Sequence, residues 1–302
     1  MNELAEELRG VVREVVAERS GDELWKTAAE LGWLGLEIPE AHGGSGMGFD
    51  LLAPVLDELG RGLASIPFVS SVVLGAAALR FSPFGDEWLP AIASGEKRVA
   101  VALDPYVLDA VDADAVLVVA DDRMHLATVT VTAVPTYDVT RRLAEVRVDE
   151  LGEGFGDAAL IAWLRERAAV ALALDSHGGA RRAMEITVEY AKQRMQFGRP
   201  IGSFQAVKHH CANMFVAVET TKVAADTAVR EIAGEPGHPT RWSSIAKAHA
   251  ADAYVDVASL GIAVHGGIGF TWEHDMHRFL ERARLDQALF GTSAWHRDRI
   301  AS

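Results

Sequence analysis

From Asp157 to Arg194 the chain runs without a proline, with apolar side chains recurring at helical spacing throughout. A helix of that length points to a bundle, because only other helices lying alongside can bury so long a stripe. Gly178 and Gly179 fall in its middle. Small residues there weaken the helix slightly and usually mean that another helix or a ligand approaches closely. The turn Phe197-Gly198-Arg199-Pro200 leads to a second helix, expected to be capped by Ser203 and to run to about Ala233. The loop GEPGHPT precedes a third, Arg241 to about Val264. His265-Gly266-Gly267-Ile268-Gly269 ends it, and a fourth covers about Asp275 to Ala288.

Upstream, Leu4, Leu8, Val11, Val12, Val15 and Val16 form one stripe of an amphipathic helix over Asn2 to Ser20. A second helix is expected from Gly21 to about Gly32. After a break through Pro39 and His42–Gly46, Asp50–Arg61 is helical, and another apolar helix follows Pro67 to about Leu79. Between Val99 and Val148 the period changes: VAVAL, AVLVVA and HLATVTVTAV are short, β-branched and bounded by Asp-rich turns, so this region reads as strands. Aspartates at 104, 109, 112, 114, 121 and 122, with no Lys or Arg from Val99 to Asp122, leave no phosphate-binding group there and predict a solvated small sheet.

The charge balance narrows the function classes. Forty-three Asp and Glu against 29 Lys and Arg give −14 over 302 residues, which argues against nucleic acid as a partner. The single cysteine, Cys211, excludes an intramolecular disulfide and reads as packing. The N-terminus mixes charge every three or four residues, unlike a targeting segment, and no stretch of about 18 apolar residues lacks charge or glycine, so no membrane contact is expected. A cytoplasmic location follows as the expectation.

One region reverses the charge. Between Gly178 and His210 lie Arg181, Arg182, Lys192, Arg194, Arg199 and Lys208 against Glu185 and Glu189, a local balance of +4. Arg194 and Gln196 precede a Gly-Pro turn, and Gln205 sits in the first turn of the next helix, where partial positive charge gathers. Together they suit a diphosphate; a solvated basic face is the plainer alternative. In His265–Thr271, paired glycines let backbone N–H groups approach a ligand, or simply cap a helix. A dinucleotide-binding fingerprint fails here, because the glycines follow a helix and no βαβ unit surrounds them. His209-His210-Cys211 and His274–His277 contain metal-ligand types, but no third ligand completes either set and no metal site is expected.

Three segments share one resemblance. LGWLGLEIPEAHGGSG followed by LDELGRGL, then YAKQRMQFGRPIGSFQAVKH, then HGGIGFTWEHDMH resemble, in order, motifs of the acyl-CoA dehydrogenases. The resemblance implies a mainly α fold: an N-terminal helical domain (1–97), a shortened middle β-domain (98–152) and a C-terminal four-helix bundle (153–302). In that family FAD takes a hydride from Cβ of an acyl-CoA while a Glu takes the Cα proton, and an electron-transfer flavoprotein can receive the electrons. Family residues matching Arg194, Gln196, Phe197, Gln205, Gly266 and Gly267 reach across a subunit interface to the ADP part of a neighbour's FAD.

The departures are as informative. The usual catalytic Glu position is Phe290, in Leu289-Phe290-Gly291-Thr292, and a phenyl ring accepts no proton. A minority of the family uses a position matching Ala168; the nearest carboxylate, Glu166, lies about 200° around the helix and is expected to face elsewhere. The family's T-E-P-x-A-G-S-D and W-I-T-N flavin segments are missing, and Ala263 replaces the Gln before the glycine pair. Together with TYDVTRRLAEVRVD, these losses resemble the short, non-catalytic subunits of heteromeric (α2β2) actinobacterial acyl-CoA dehydrogenases of steroid side-chain degradation. That implies a full-length partner subunit supplying the Glu and most of the acyl-CoA site. Two alternatives stand beside it: a self-sufficient flavoprotein using Glu273 or Asp275, and a structural subunit that binds no flavin.

Overall fold

The computed structural model describes residues 3–232 and 234–301. Its longest element is α6 (Ala158–Gln193), on the order of 54 Å at 1.5 Å per residue. The Asp157 carboxylate opens it by accepting the backbone N–H groups of Ala159 (3.0 Å) and Leu160 (3.1 Å). The run Ala168–Gly179 is buried on every side of the helix, because N-terminal helices cover one flank and bundle helices the other.

On the N-terminal flank are α1 (Glu3–Glu18), α2 (Gly21–Glu30) and α3 (Phe49–Arg61). A π-helical stretch, Phe68–Ala76, continues as the short α4 (Ala77–Leu79), and α5 (Gly85–Ala93) closes the unit. Helix α3 crosses α6 at nearly backbone contact. A Cβ on Gly178 would overlap the Asp57 carbonyl, and one on Gly60 would overlap that of Asp175, so the middle glycines of α6 mark a helix crossing.

The sheet is small and mixed. Strands β1 (Val99–Ala102), β2 (Val107–Leu108), β3 (Ala115–Ala120), β4 (Arg123–Val134) and β5 (Leu143–Phe155) lie in the order β1-β3-β4-β5-β2, with only β1 and β3 parallel. The strand region thus continues past Val148. Ser71 fastens the first strand to the π-helical stretch, its hydroxyl exchanging 3.0 Å hydrogen bonds with the N–H and carbonyl of Val99. The aspartates here are not merely solvated: Ser70 donates to Asp109 (2.6 Å), and Arg98 N–H donates to Asp114 (2.7 Å).

After α6 come the hairpin β6 (Met195–Gln196) and β7 (Arg199–Pro200), then α7 (Gln205–Glu231), α8 (Trp242–His265), α9 (Met276–Ala288) and α10 (Ser293–Ala301). The expected start of the first and end of the sixth of the eight expected helices, Asn2 and Ala233, fall outside the described residues. Phe204, not Ser203, precedes α7; the Ser203 hydroxyl instead donates to Pro200 O (2.7 Å) and closes the preceding 3-10 turn. The segment 242–270 is long and apolar enough to span a membrane by length and composition, with mean hydropathy 1.3, although Lys247, Asp252, Asp256 and Gly261 interrupt it. Half of that window is buried, because α8 packs against α6, α7 and α9. The mainly α architecture is the expected one: N-terminal helices, a small sheet and a helical bundle.

Candidate functional site

The six residues expected to bind a cofactor are all exposed. Arg194 is the residue on which α6 ends (φ −70°, ψ 119°), and the chain turns at once into the β6–β7 hairpin, where Met195 pairs with Pro200 and Gln196 with Arg199. A two-residue hairpin turn of this hand needs φ > 0 at both central positions. Gly198 (φ 76°) meets this freely, whereas Phe197 (φ 52°) pays about 1–2 kcal/mol in backbone strain. Its ring is 91% exposed, so packing inside this chain does not account for an aromatic residue in that conformation. Phe204 lies beside it edge-on at 6.0 Å, with the Arg199 guanidinium 4.1 Å above the Phe204 ring. Gln205 begins α7, whose first turn has no side-chain cap and so presents its N–H groups outward.

The glycine-rich turn closes the same end of the bundle. Gly266 (φ 67°, ψ −144°) holds a conformation open essentially to glycine alone and ends α8, which satisfies the capping reading for that residue. Gly267 has no such requirement, and a Cβ on either glycine would meet open space. What joins this turn to Arg194 is an aromatic stack that sequence reasoning missed. Tyr190, one helical turn before Arg194, stacks on His265 (4.3 Å between centroids, 25° between planes), and His265 lies 4.3 Å from His274. His265 Nδ1 sits 2.7 Å from Gly261 O, and burial pushes its pKa down, which keeps the imidazole neutral and stackable. Ring spacing of 9 to 75 residues hides such a stack from any local pattern.

The charge reversal is narrower than its residue list. Arg181 is turned inward, 2.8 Å from both Asp57 and Glu58, while Arg182 pairs with Glu185 (3.6 Å) and Lys192 with Glu189 (3.7 Å). Arg194 and Lys208 have no ion-pair partner among the described residues, and Arg199 rests on Phe204. What remains is a shallow cationic surface with backbone N–H groups and an exposed aromatic ring, suited to a diphosphate on one side only. A group held there needs a second wall from another molecule.

A cavity of about 360 Å³ lies where α6, α8, α10 and the 289–292 loop meet. Phe290 (φ 52°) borders it, and its backbone N–H donates to the Asp104 carboxylate (2.5 Å). Glu166 borders it too, whereas Ala168 does not, so the two positions face different ways as expected; the segment before α8 wraps round α6, and Thr240 N–H lies 3.2 and 3.3 Å from the two Glu166 oxygens. Burial raises the Glu166 carboxyl above the usual range, partly offset by that hydrogen bond. Lys247 donates to Asp286 O (2.8 Å) and Gly291 O (3.2 Å), and His296 bridges Ser244 Oγ (2.9 Å) and Phe290 O (3.0 Å). Burial, with Lys247 adding to it, lowers His296 to about 4. The loop is therefore held closed by this chain's own side chains, and both carboxylates at the cavity are engaged by backbone donors.

Of the alternative bases, Asp275 pairs with Arg278 (3.2 Å), and Glu273 is exposed. Arg282 faces neither, being buried against Asp175 (2.6 Å). Among the described residues no group of three or more His, Cys, Asp or Glu is placed to hold a metal ion.

Two family models match the chain: the acyl-CoA dehydrogenase N-terminal domain over residues 2–96 and the C-terminal domain over 152–302. The chain is 37% identical over 273 residues to acyl-CoA dehydrogenase IpdE2 of Mycobacterium tuberculosis, covering 89% of this chain and 83% of that protein. Among solved structures it resembles a variant of the Tcur3481-Tcur3483 steroid ACAD (TM-score 0.92, 25% identity, 99% of this chain and 97% of that one). It also resembles the ChsE4-ChsE5 complex from Mycobacterium tuberculosis (TM-score 0.86, 28% identity, 100% and 97%).

Proposed function

We propose, because this chain belongs to the acyl-CoA dehydrogenase family, that it is the cofactor-completing subunit of a cytoplasmic heteromeric acyl-CoA dehydrogenase. A full-length partner brings the catalytic Glu and most of the acyl-CoA pocket. The observation that carries this reading is an asymmetry between two places on the molecule. The loop that should present a base holds Phe290 instead, tied to Asp104, Lys247 and His296. The surface formed by Arg194, Gln196, Phe197, Gln205, Gly266 and Gly267 is outward-facing and structurally unoccupied by this chain's own groups.

These residues fit the ADP half of FAD held by a neighbouring subunit. Arg194 supplies a guanidinium whose planar fork matches a diphosphate bidentately. The uncapped first turn of α7 adds N–H donors and positive dipole. Gly267 lets backbone approach without a side chain in the way, and Phe197 offers an exposed ring to exclude water from that edge. When bound, the flavin supplies hydride acceptance; this chain's residues orient its diphosphate and shield it. The likeness to a solved steroid ACAD supports a steroid CoA thioester as the substrate class; an electron-transfer flavoprotein is the downstream acceptor in this reading.

Purifying the chain alone and with a full-length acyl-CoA dehydrogenase from the same genome tests the reading. The isolated chain should hold little FAD and fail to reduce a dye with acyl-CoA, while the complex does both. Arg194→Glu should leave the subunits assembled but strip FAD from the complex. Stoichiometric FAD and turnover in the isolated chain would sink the proposal.

A further inference from the structure

A cleft of about 560 Å³ opens between the β4–β5 connection, the glycine-rich turn and the outer face of α9. Its floor is apolar, formed by Ile262, Leu280 and Leu285. Three buried polar atoms on residues bordering it have no hydrogen-bond partner among the described residues: Asp138 Oδ2, His277 Nε2 and Glu281 Oε2. All three are acceptors when the His277 ring is neutral. His277 Nδ1 lies 2.9 Å from the carbonyl of His274, so its proton sits on Nδ1 and Nε2 presents a lone pair. Asp138, itself 1% exposed, spends its other oxygen on the Thr140 N–H (2.9 Å) and hydroxyl (2.5 Å). Arg141 Nε forms an ion pair with Oδ2 at 3.9 Å but stands beyond hydrogen-bond reach of it. Among the described residues the one Lys or Arg bordering the cleft, Arg284, is exposed, its guanidinium 3.3 Å from Gln287 Oε1.

Leaving one buried acceptor unpaired is costly, and three around one space describe the complement of a donor-rich group. Burial, with Asp138 adding to it, raises the Glu281 carboxyl above its ordinary range; Arg278, and the His277 ring in its protonated form, pull the other way. The rim adds a second requirement. Tyr137, Phe270 and Trp272 border the cleft and are 91%, 73% and 80% exposed. Flat aromatic faces beside carboxylate oxygens that lack a hydrogen-bond donor are the surroundings in which a guanidinium binds by stacking and hydrogen bonding together.

We propose that this cleft receives an arginine side chain of the partner subunit, its guanidinium donating to Glu281, Asp138 and His277 and lying against the aromatic rim. The proposal rests on the heteromeric reading above. A partner surface is the occupant, in preference to a free cation, because a small molecule in the cleft leaves the outer faces of three large rings in water. The rim is also continuous with the surface proposed above to be shared, at Gly266 and Gly267, since Phe270 and Trp272 belong to the same turn.

Two measurements test it. In the isolated chain, titrating N-acetyl-arginine methylamide should shift the Trp272 indole NMR signal saturably, identified by its loss in Trp272→Phe. The isosteric neutral N-acetyl-citrulline methylamide should not shift it, and Glu281→Gln should abolish the arginine response. Equal responses to the two probes, or none to arginine, overturn the proposal. In the complex with the longer subunit, Glu281→Gln and Trp272→Ala should each raise the subunit dissociation constant at least tenfold, with FAD per assembled complex unchanged. Arginine binding without weakened assembly would mean that the site takes a free cation and overturns the partner assignment. If instead Arg194→Ala leaves bound FAD untouched while these results hold, cofactor sharing fails and the arginine site stands.

Discussion

Gly178→Ala tests how far the crossing of α3 and α6 governs the fold. The added Cβ would overlap the Asp57 carbonyl and stand 2.8 Å from Arg61 N, both of them backbone atoms of α3. No rotamer relieves that contact, so the helices must part. Overpacking against a movable side chain costs roughly 1–3 kcal/mol; here separation also draws Asp57 away from His177 (2.5 Å) and Arg181 (2.8 Å). A buried carboxylate losing such partners adds about 1–3 kcal/mol, so we expect a loss of about 3 kcal/mol or more. At about 2–4 °C per kcal/mol for chains somewhat shorter than this one, scanning calorimetry should show Tm lower by at least 6 °C. Gly10→Ala is the matched control. It lies within α1 with nothing near its Cβ, and should stabilise by about 0.5–1 kcal/mol through helix propensity alone. An unchanged Tm for Gly178→Ala, or the same sign for both variants, would refute the close-crossing argument.

Two further outcomes follow from the 289–296 region. Because His296 falls from 6.5 to about 4 on folding, its neutral form is favoured by the native state; that stability is fully present above 6.5 and lost as pH falls toward 4. The shift corresponds to about 3 kcal/mol as an order of magnitude, and His296→Gln should flatten the urea-unfolding stability profile between those values. Phe290→Glu should place a carboxylate beside Asp104 at a position only 8% exposed, destabilise the chain, and still give no dye reduction with acyl-CoA in the isolated subunit. Turnover appearing on that single change would show that the rest of the site is intact.

The sequence by itself determined the elements whose signals are local. Helix α6 was legible nearly to the residue because Asp157 caps it through its own neighbours and the apolar spacing runs unbroken to Gln193. The exchange of a carboxylate for Phe290, and the glycine pair after α8, are likewise facts of the chain. Shorter elements escaped notice: α5 carries Pro90 inside it, and α10 is charged and lacks a clear apolar stripe. Only the tertiary structure decided which charges remain free. Arg181 reads as part of a basic run until α3 brings Asp57, 124 residues away, to 2.8 Å from it. Glu166 gains its backbone donor only when the segment before α8 folds over it, and Tyr190, His265 and His274 become one stack only when two helix ends meet. Periodicity and capping act over one or two turns of helix, whereas ion pairing, burial and open surface depend on which distant segment arrives alongside.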